Sequence, residues 1–294
     1  MQISVEAKCG GKRLQGTFSE TSPKRPLVTV ITATYNGQPH VAGCLESVLS
    51  QDYPKIEHIV MDGASSDGTT DVLRQYDDRI ALWRSEPDSG IYDAWNKAIL
   101  EARGEWICFL GVDDEFLPGA VSAYMALASR NPQAEFLCSR VKVVYCSGYE
   151  KIVGDPWTWR KFSRSMCALH VGSMHRRGLF DRLGMYDTSY QIAADYELLL
   201  RARQQLKTAY LPVPTVMMRA GGASGSRIAI AEKARAKMTA GGRSKILTSI
   251  ELCVDNAKFM VRPLHYALRA IAARYASPAH AGKPIAPGSS TQSS

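Results

Sequence analysis

WICFLGVDDEF, residues 106–116, is the stretch whose reading decides the fold of this chain. Trp106, Ile107, Cys108, Phe109 and Leu110 follow Gly104 as an unbroken apolar run, too short for a helix and long enough for a strand covered on both faces. Asp113 and Asp114 then stand at the carboxyl end of that strand. In open α/β sheets ligands collect outside the carboxyl ends of the strands, and two carboxylates there can hold a hard divalent cation that also grips phosphate oxygens. The same acids, placed before Leu117 and Pro118, would equally cap a helix N-terminus. Both readings stand at this point.

The flanking sequence repeats the arrangement. LVTVITATYNG, residues 27–37, is a β-branched strand stopped by Asn36 and Gly37, and Val41, Cys44, Leu45, Val48 and Leu49 then recur at helical spacing. IEHIVMDGASSDGTT, residues 56–70, ends a second strand in Asp62 and Gly63 before a short helix over DVLRQY; Asp67, in Ser-Ser-Asp-Gly, reads as a turn residue. A third strand in IALWRSEPDSG leads to IYDAWNKAILEA, where Ile91, Ala94, Trp95, Ala98 and Ile99 make an apolar helical stripe. Such alternation predicts a parallel sheet with helices on both faces, and one edge lined by Asn36, Asp62, Asp88, Asp113 and Asp114.

Taken together and in this order, VTVITATYNG, HIVMDGASSDGT, SGIYDAWNKAI and GEWICFLGVDDEF resemble the family 2 glycosyltransferases of the GT-A fold, especially bacterial enzymes that build surface polysaccharides. The resemblance runs from Pro26 to Ser226. Within it, MHRRGLFDRLGMYDTSYQIAADYELLLRA resembles the acceptor half of those enzymes. What the resemblance implies is an α/β, Rossmann-like GT-A domain over 26–226: a mixed, mainly parallel sheet flanked by helices, with a nucleotide-sugar half at about 26–115, an acceptor half at about 116–226, and a C-terminal helical appendage. Thr34 and Asn36 would line the nucleotide pocket, Asp62 would accept a hydrogen bond from the base, and Asp113 would face the ribose. Asp114 would coordinate Mg²⁺ or Mn²⁺ bridging the diphosphate of a nucleotide-diphosphate sugar donor. Gly90 would allow close backbone approach beside Asp88, and Lys97 would add charge for the phosphates, although a lone helix lysine is also an ordinary solvated residue. Asp195 would act as the base that deprotonates a glycan or lipid-linked acceptor in one inverting displacement, with His170 beside the acceptor. Gly221, Gly222 and Ser224 would form a loop at the rim. The QxxRW motif of processive members is absent, which implies one sugar per encounter.

Two other readings remain open on sequence. GGKRLQGTFSETSPKRPL, residues 10–27, has the look of a sugar-phosphate nucleotidyltransferase glycine cluster, but it precedes the first buried strand instead of following it. A catalytically silent module that binds nucleotide-sugar or membrane would keep the same acids.

Composition fits a cytoplasmic enzyme, with peripheral attachment to the inner face of the plasma membrane left open. At 294 residues and 45% hydrophobic content the chain can bury one α/β domain plus an appendage. Seven cysteines without a CxxC pair point to reduced thiols, with Cys44 and Cys108 in the core. Residues 1–25 read as a flexible segment without a signal-peptide core, 227–275 as a basic helical extension, and 276–294 as a disordered tail. The net charge of +8 is concentrated: from Ser226 onward 11 Lys or Arg face 3 Asp or Glu, whereas the remainder holds 25 of each. Over 262–275, Leu264, Leu268, Ile271 and Tyr275 share one helix face, with Arg262, His265 and Arg269 on another and Pro263 placed to begin the helix. Such a helix suits an anionic membrane surface, or packs its stripe on the domain. Nucleic acid is not expected, because no aromatic series accompanies the basic residues.

Overall fold

The computed structural model describes residues 8–276 apart from 20, 23 and 24, with side chains beyond residue 261 and at 223 left aside. Its strands are β1 (Lys8–Gly10), β2 (Val28–Thr34), β3 (Ile56–Asp62), β4 (Leu82–Ser85), β5 (Trp106–Phe109), β6 (Glu115–Phe116), β7 (Phe136–Val144), β8 (Glu150–Val153), β9 (Ser173–Arg176) and β10 (Thr208–Arg219). The helices are α1 (Gln38–Leu49), α2 (Thr69–Arg74), α3 (Ile91–Glu101), α4 (Ala120–Arg130), α5 (Trp159–Phe162), α6 (Gly178–Leu183), α7 (Ala194–Ala202), α8 (Arg227–Thr239) and α9 (Lys245–Ala276). Among the described residues one sheet runs β1-β4-β3-β2-β5-β9-β7-β10-β6, with β8 beside β7.

The four sequence-predicted strands form the parallel heart of this sheet, β4-β3-β2-β5. All four residues of β5 are buried because helices cover both faces. Ile107 and Phe109 join Trp95 and Ala98 of α3, while Trp106 and Cys108 join Cys44 and Val48 of α1 and Tyr124 of α4. Register then fixes the chemistry at the carboxyl ends: Thr34 pairs with Asp62, and Asp62 with Ser85, so the three stand abreast. The second half returns antiparallel through β9 and β7, and β10 runs parallel to β7 before pairing antiparallel with β6. Met217 opposite Glu115 brings the end of β10 to the Asp113–Asp114 loop.

Several expectations need correction. Residues 8–15, read as part of a flexible segment, form β1 on the edge strand β4 and a 3-10 turn. The turn is held because Arg13 pairs with the buried Glu57, whose carboxylate also accepts from Thr29 Oγ1 and the Arg103 and Gly104 N–H groups. In α3, Tyr92 replaces Ile91 on the buried stripe, and Ile91 faces solvent. The first compact unit is Met1–Leu252, so α8 belongs to it and the expected boundary at 226 falls too early. Glu232 of α8 explains why: its carboxylate accepts from the N–H groups of Gln191 (2.7 Å), Ile192 (2.8 Å) and Ala193 (3.0 Å), the peptide donors leading into α7. The second unit is Cys253–Ser294. All but the first residue of the expected tail over 276–294, the first seven residues and the side chains of the 262–275 stripe lie outside the described residues, and Ala276 itself ends α9. Pro263 falls inside α9 instead of starting it. No helix among the described residues is long and apolar enough to cross a membrane.

Glu232→Ala should remove three hydrogen bonds to a charged acceptor and cost about 2 kcal/mol or more, lowering Tm by about 4–8 °C. Thermal unfolding followed by circular dichroism checks this; an unchanged Tm would show that α8 does not hold the α7 N-terminus.

Candidate active site

The loop after β5 is built around its acids. The Asp114 N–H donates to the Gly111 carbonyl (3.0 Å), turning the chain back on itself. A methyl group at Gly111 would lie 2.7 Å from Asp114 Oδ2 and 3.1 Å from Asp113 Oδ1, so both carboxylates converge on the space that the missing side chain leaves. Neither acid caps a helix, because α4 starts at Ala120, Gly119 is its N-cap, and no side chain caps it. Asp114 is only 5% exposed, and its Oδ1 accepts from the Arg219 N–H (3.2 Å) at the end of β10. Burial first, and then the charge of Asp113, push its carboxyl up from the usual 3.8 to about 7. No Lys or Arg side chain pairs with it among the described residues; the Arg219 guanidinium lies 3.6 Å from Glu115 instead.

Neighbouring strand ends complete the edge. Asp62 is buried and accepts from Ser65 N–H (3.0 Å), Ser65 Oγ and Ser85 Oγ (2.6 Å), leaving it little spare acceptor capacity. Asn36 adopts a left-handed φ of 49° and accepts from Ser66 N–H (3.1 Å), locking the β2 turn to the β3 turn. Asp67 is a turn residue as read: it accepts from Thr69 and from the Gln38 N–H at the start of α1, and its hydrogen bond from Thr69 lowers its pKa. The Thr34 hydroxyl is buried without a hydrogen-bond partner among the described residues. Asp88 accepts from Gly90 N–H (2.9 Å), and a methyl at Gly63 would lie 2.8 Å from Asp88 Oδ2, which places Asp88 over the Asp62 turn. Desolvation raises its pKa. Gly90, the N-cap of α3, has φ 124°, a conformation that side chains rarely adopt. Lys97 is committed elsewhere, to Glu86 (2.9 Å) and Asp93 (3.4 Å).

Two residues past Gly90, Tyr92 reaches from α3 to α7, in the expected acceptor half. Its hydroxyl donates to Asp195 Oδ1 (3.2 Å), which also accepts from Tyr196 N–H (2.8 Å) in the first turn of α7. Burial raises the Asp195 carboxyl from 3.8 to about 6, against the lowering effect of these hydrogen bonds. Beneath lies an aromatic floor: Tyr186 sits 5.4 Å from Tyr92, and His170 stacks on Trp95 at 4.7 Å. The His170 Nε2 is engaged by the Tyr186 hydroxyl (2.8 Å), and burial lowers its pKa far enough to keep the ring neutral. His170 is therefore a neutral wall residue tied to Tyr186. Gly221, Gly222 and Ser224 follow directly on Arg219, between β10 and α8. Tyr92, Tyr186 and Arg219 were missed in sequence; only Tyr92, sitting within an apolar helical stripe, left a signal there.

Residues 29–177 match the sequence model of the family described as Glycosyl transferase family 2. The chain is a family 2 glycosyltransferase. An uncharacterized glycosyltransferase of Mycobacterium tuberculosis is 35% identical over 188 residues, covering 60% of this chain and 69% of the relative. A putative teichuronic acid biosynthesis glycosyltransferase of Bacillus subtilis, TuaG, is 35% identical over 141 residues, 47% of this chain and 52% of that protein. Among solved structures, a mannosyltransferase of Pyrobaculum calidifontis in complex with GDP-Man and Mn²⁺ superposes with a TM-score of 0.55 at 22% identity, over 91% of this chain and 81% of that one. The shared architecture is the GT-A fold. In the glycine cluster of residues 10–27, Gly10 and Gly11 lie against Trp83 and Leu82, at the amino end of β4 and away from the Asp62 turn.

Asp114→Asn keeps the acceptor oxygen for Arg219 and removes a charge that the fold disfavours. With its folded pKa near 7 against 3.8, the ionised group loses stability as pH rises through that interval. The metal-free variant should therefore melt at or above the wild-type temperature at pH 8, while binding of Mn²⁺ and donor is lost. Titration calorimetry and a melt measured together check both halves; wild-type Mn²⁺ affinity in the variant would remove Asp114 from the expected cation site.

Proposed function

We propose that this glycosyltransferase moves a sugar from a nucleotide-diphosphate donor to a hydroxyl of a glycan or lipid-linked acceptor, with inversion and with a divalent cation, in surface polysaccharide assembly. The observation that carries the reading is Asp195. Its carboxylate is raised to about 6, ionised at neutral pH yet basic enough to take a hydroxyl proton, and is aimed by the Tyr92 phenol.

The donor side supports the same reaction. Among the described residues no cluster of three or more His, Cys, Asp or Glu could hold a metal unaided. Mg²⁺ or Mn²⁺ commonly uses one or two carboxylates and completes its shell with substrate phosphates and water, which suits the converging Asp113 and Asp114. A cation bound there would withdraw charge from the leaving diphosphate. Thr34, with its unpartnered hydroxyl, and Asn36 would face the nucleotide. Asp62 would shape the pocket floor and offer one remaining acceptor site to the base. Asp88 and Gly90 would border the donor, with Tyr92 on the same helical turn linking it to Asp195. Lys97 would add charge for the phosphates only by giving up Glu86 and Asp93, which hold it on the α3 surface.

The acceptor class rests on relatives such as TuaG, whose name refers to teichuronic acid biosynthesis. Peripheral attachment is supported by α9, whose Ile246, Ile250, Val254 and Val261 recur at helical spacing and are exposed in its described part. The stripe expected over 262–275 follows them in sequence.

Asp195→Asn should keep donor affinity and lose kcat by about 10²-fold or more. Stopped assays with separately measured donor binding check it, and undiminished kcat would move the base elsewhere. In the wild type, kcat should be flat above pH 6 and fall about tenfold per unit below it, as the base is protonated. Ending the chain at Leu252 should weaken co-sedimentation with anionic vesicles and leave transfer to a short soluble acceptor intact. Full-length protein that ignores such vesicles would end the membrane proposal.

A further inference from the structure

Val144, the last residue of β7, stands in parallel register with Arg219, the β10 residue whose N–H binds Asp114, and its carbonyl accepts from the Ala220 N–H (2.8 Å). The β7–β8 hairpin therefore leaves the sheet at the same end as the acid loop of Asp113 and Asp114, about two strand spacings, or ~10 Å, from the Asp114 carboxylate. Its turn is tight. The Gly148 N–H donates to the Tyr145 carbonyl (2.8 Å), Gly148 takes a left-handed φ of 77°, and the Tyr145 N–H donates to the Tyr149 carbonyl (2.9 Å). An ion pair between Lys142 on β7 and Glu150 on β8 (2.8 Å) braces the two strands. On this frame stand two solvent-facing rings, Tyr145 at 38% and Tyr149 at 61% exposure, with centroids 5.6 Å apart and planes tilted by 39°. Neither hydroxyl makes a hydrogen bond among the described residues.

A tyrosine offers an apolar face of negative partial charge and a polar edge. A pyranose offers the complement: C–H groups of slight positive charge across one face, and hydroxyls around the rim. Rings already braced against each other lose little freedom when a ligand settles on them. The two exposed faces amount to roughly 200 Å², well short of the ~800 Å² per partner of a standard protein interface. A single sugar ring fits that area. We infer that Tyr145 and Tyr149 form a stacking platform for a pyranose of the acceptor, outside the donor site, and that the acceptor is accordingly a glycan of more than one sugar, whether or not a lipid carries it. The inference rests on the proposed transfer to a glycan and narrows its substrate class.

The test is NMR of the full chain carrying isotope-labelled tyrosine, free of donor and metal, titrated with cellotetraose. The Tyr145 and Tyr149 ring signals should shift saturably, and Tyr149→Ala should weaken binding by about tenfold, the scale of one lost aromatic contact. Tyr149→Phe, which keeps the ring and gives up only an exposed hydrogen bond, should stay within about fivefold of wild type. The proposal is overturned if both rings stay still throughout the titration, if Tyr149→Ala binds as well as wild type, or if Tyr149→Phe is as weak as Tyr149→Ala. Ring signals that ignore cellotetraose but move on dilution of the protein would give the surface to a second copy, and signals that move only with anionic vesicles would give it to a membrane; either result overturns the platform. Neither donor nor turnover enters the readout, so its failure leaves the proposed reaction standing, and failure of the Asp114 or Asp195 variants to lose function would leave the tyrosine shifts in place.

Discussion

A carboxylate taken out of water must find compensation, and the way this fold treats two of them organises the molecule. Glu57, at the amino end of β3, is surrounded by four donors: the Arg13 guanidinium, the Thr29 hydroxyl and two peptide N–H groups. It is a closed structural site. Asp114, beyond the carboxyl end of β5, is just as inaccessible but has a peptide N–H and a neighbouring acid in place of a cation, so its proton affinity climbs to about 7. A buried charge left without a partner carries a substantial penalty, and such imbalance gathers at functional sites. The proposed function rests on that imbalance, since an acid loop of this kind would take a cation and a diphosphate.

Topology puts the remaining groups within reach of that loop. The parallel register sets Thr34, Asp62 and Ser85 side by side, and the Asn36 and Asp67 side chains lock their turns together. β10 returns beside β6 and delivers Arg219 to Asp114. The first turn of α3 then joins the two halves of the sheet, with Gly90 on Asp88 and Tyr92 on Asp195. Two carboxyl groups raised to about 7 and about 6 thus suit different chemistry because different neighbours surround them.

Much of this was legible in the sequence, and the boundary of what was legible is physical. Short apolar runs ending in Asp or Asn mark buried parallel strands and their ligand edge without any knowledge of partners, which is why β2, β3, β4 and β5 and their acids could be read directly. Contacts between distant segments leave no such local pattern. Glu232 reaching the α7 N-terminus is 39 residues from Ala193, and in sequence it is one glutamate on a polar helix. The β1 strand was hidden for the same reason: KCGGKR has the composition of a loop, and only the edge of β4 and the charge of Glu57 order it. Lys97 looked available because Glu86, which follows β4, and Asp93, one turn earlier on α3, are ordinary surface acids in sequence until the fold sets both beside it.

If the donor diphosphate meets its cation at the acid loop, a crystal structure grown with Mn²⁺ and UDP, or GDP in its place, will show it most directly. The predicted result is an anomalous Mn²⁺ peak in contact with the Asp114 carboxylate and the diphosphate oxygens, with the base lying toward Thr34 and Asn36. A nucleotide bound with its diphosphate away from Asp113 and Asp114, or held there by side chains with no cation on Asp114 at saturating Mn²⁺, would contradict it.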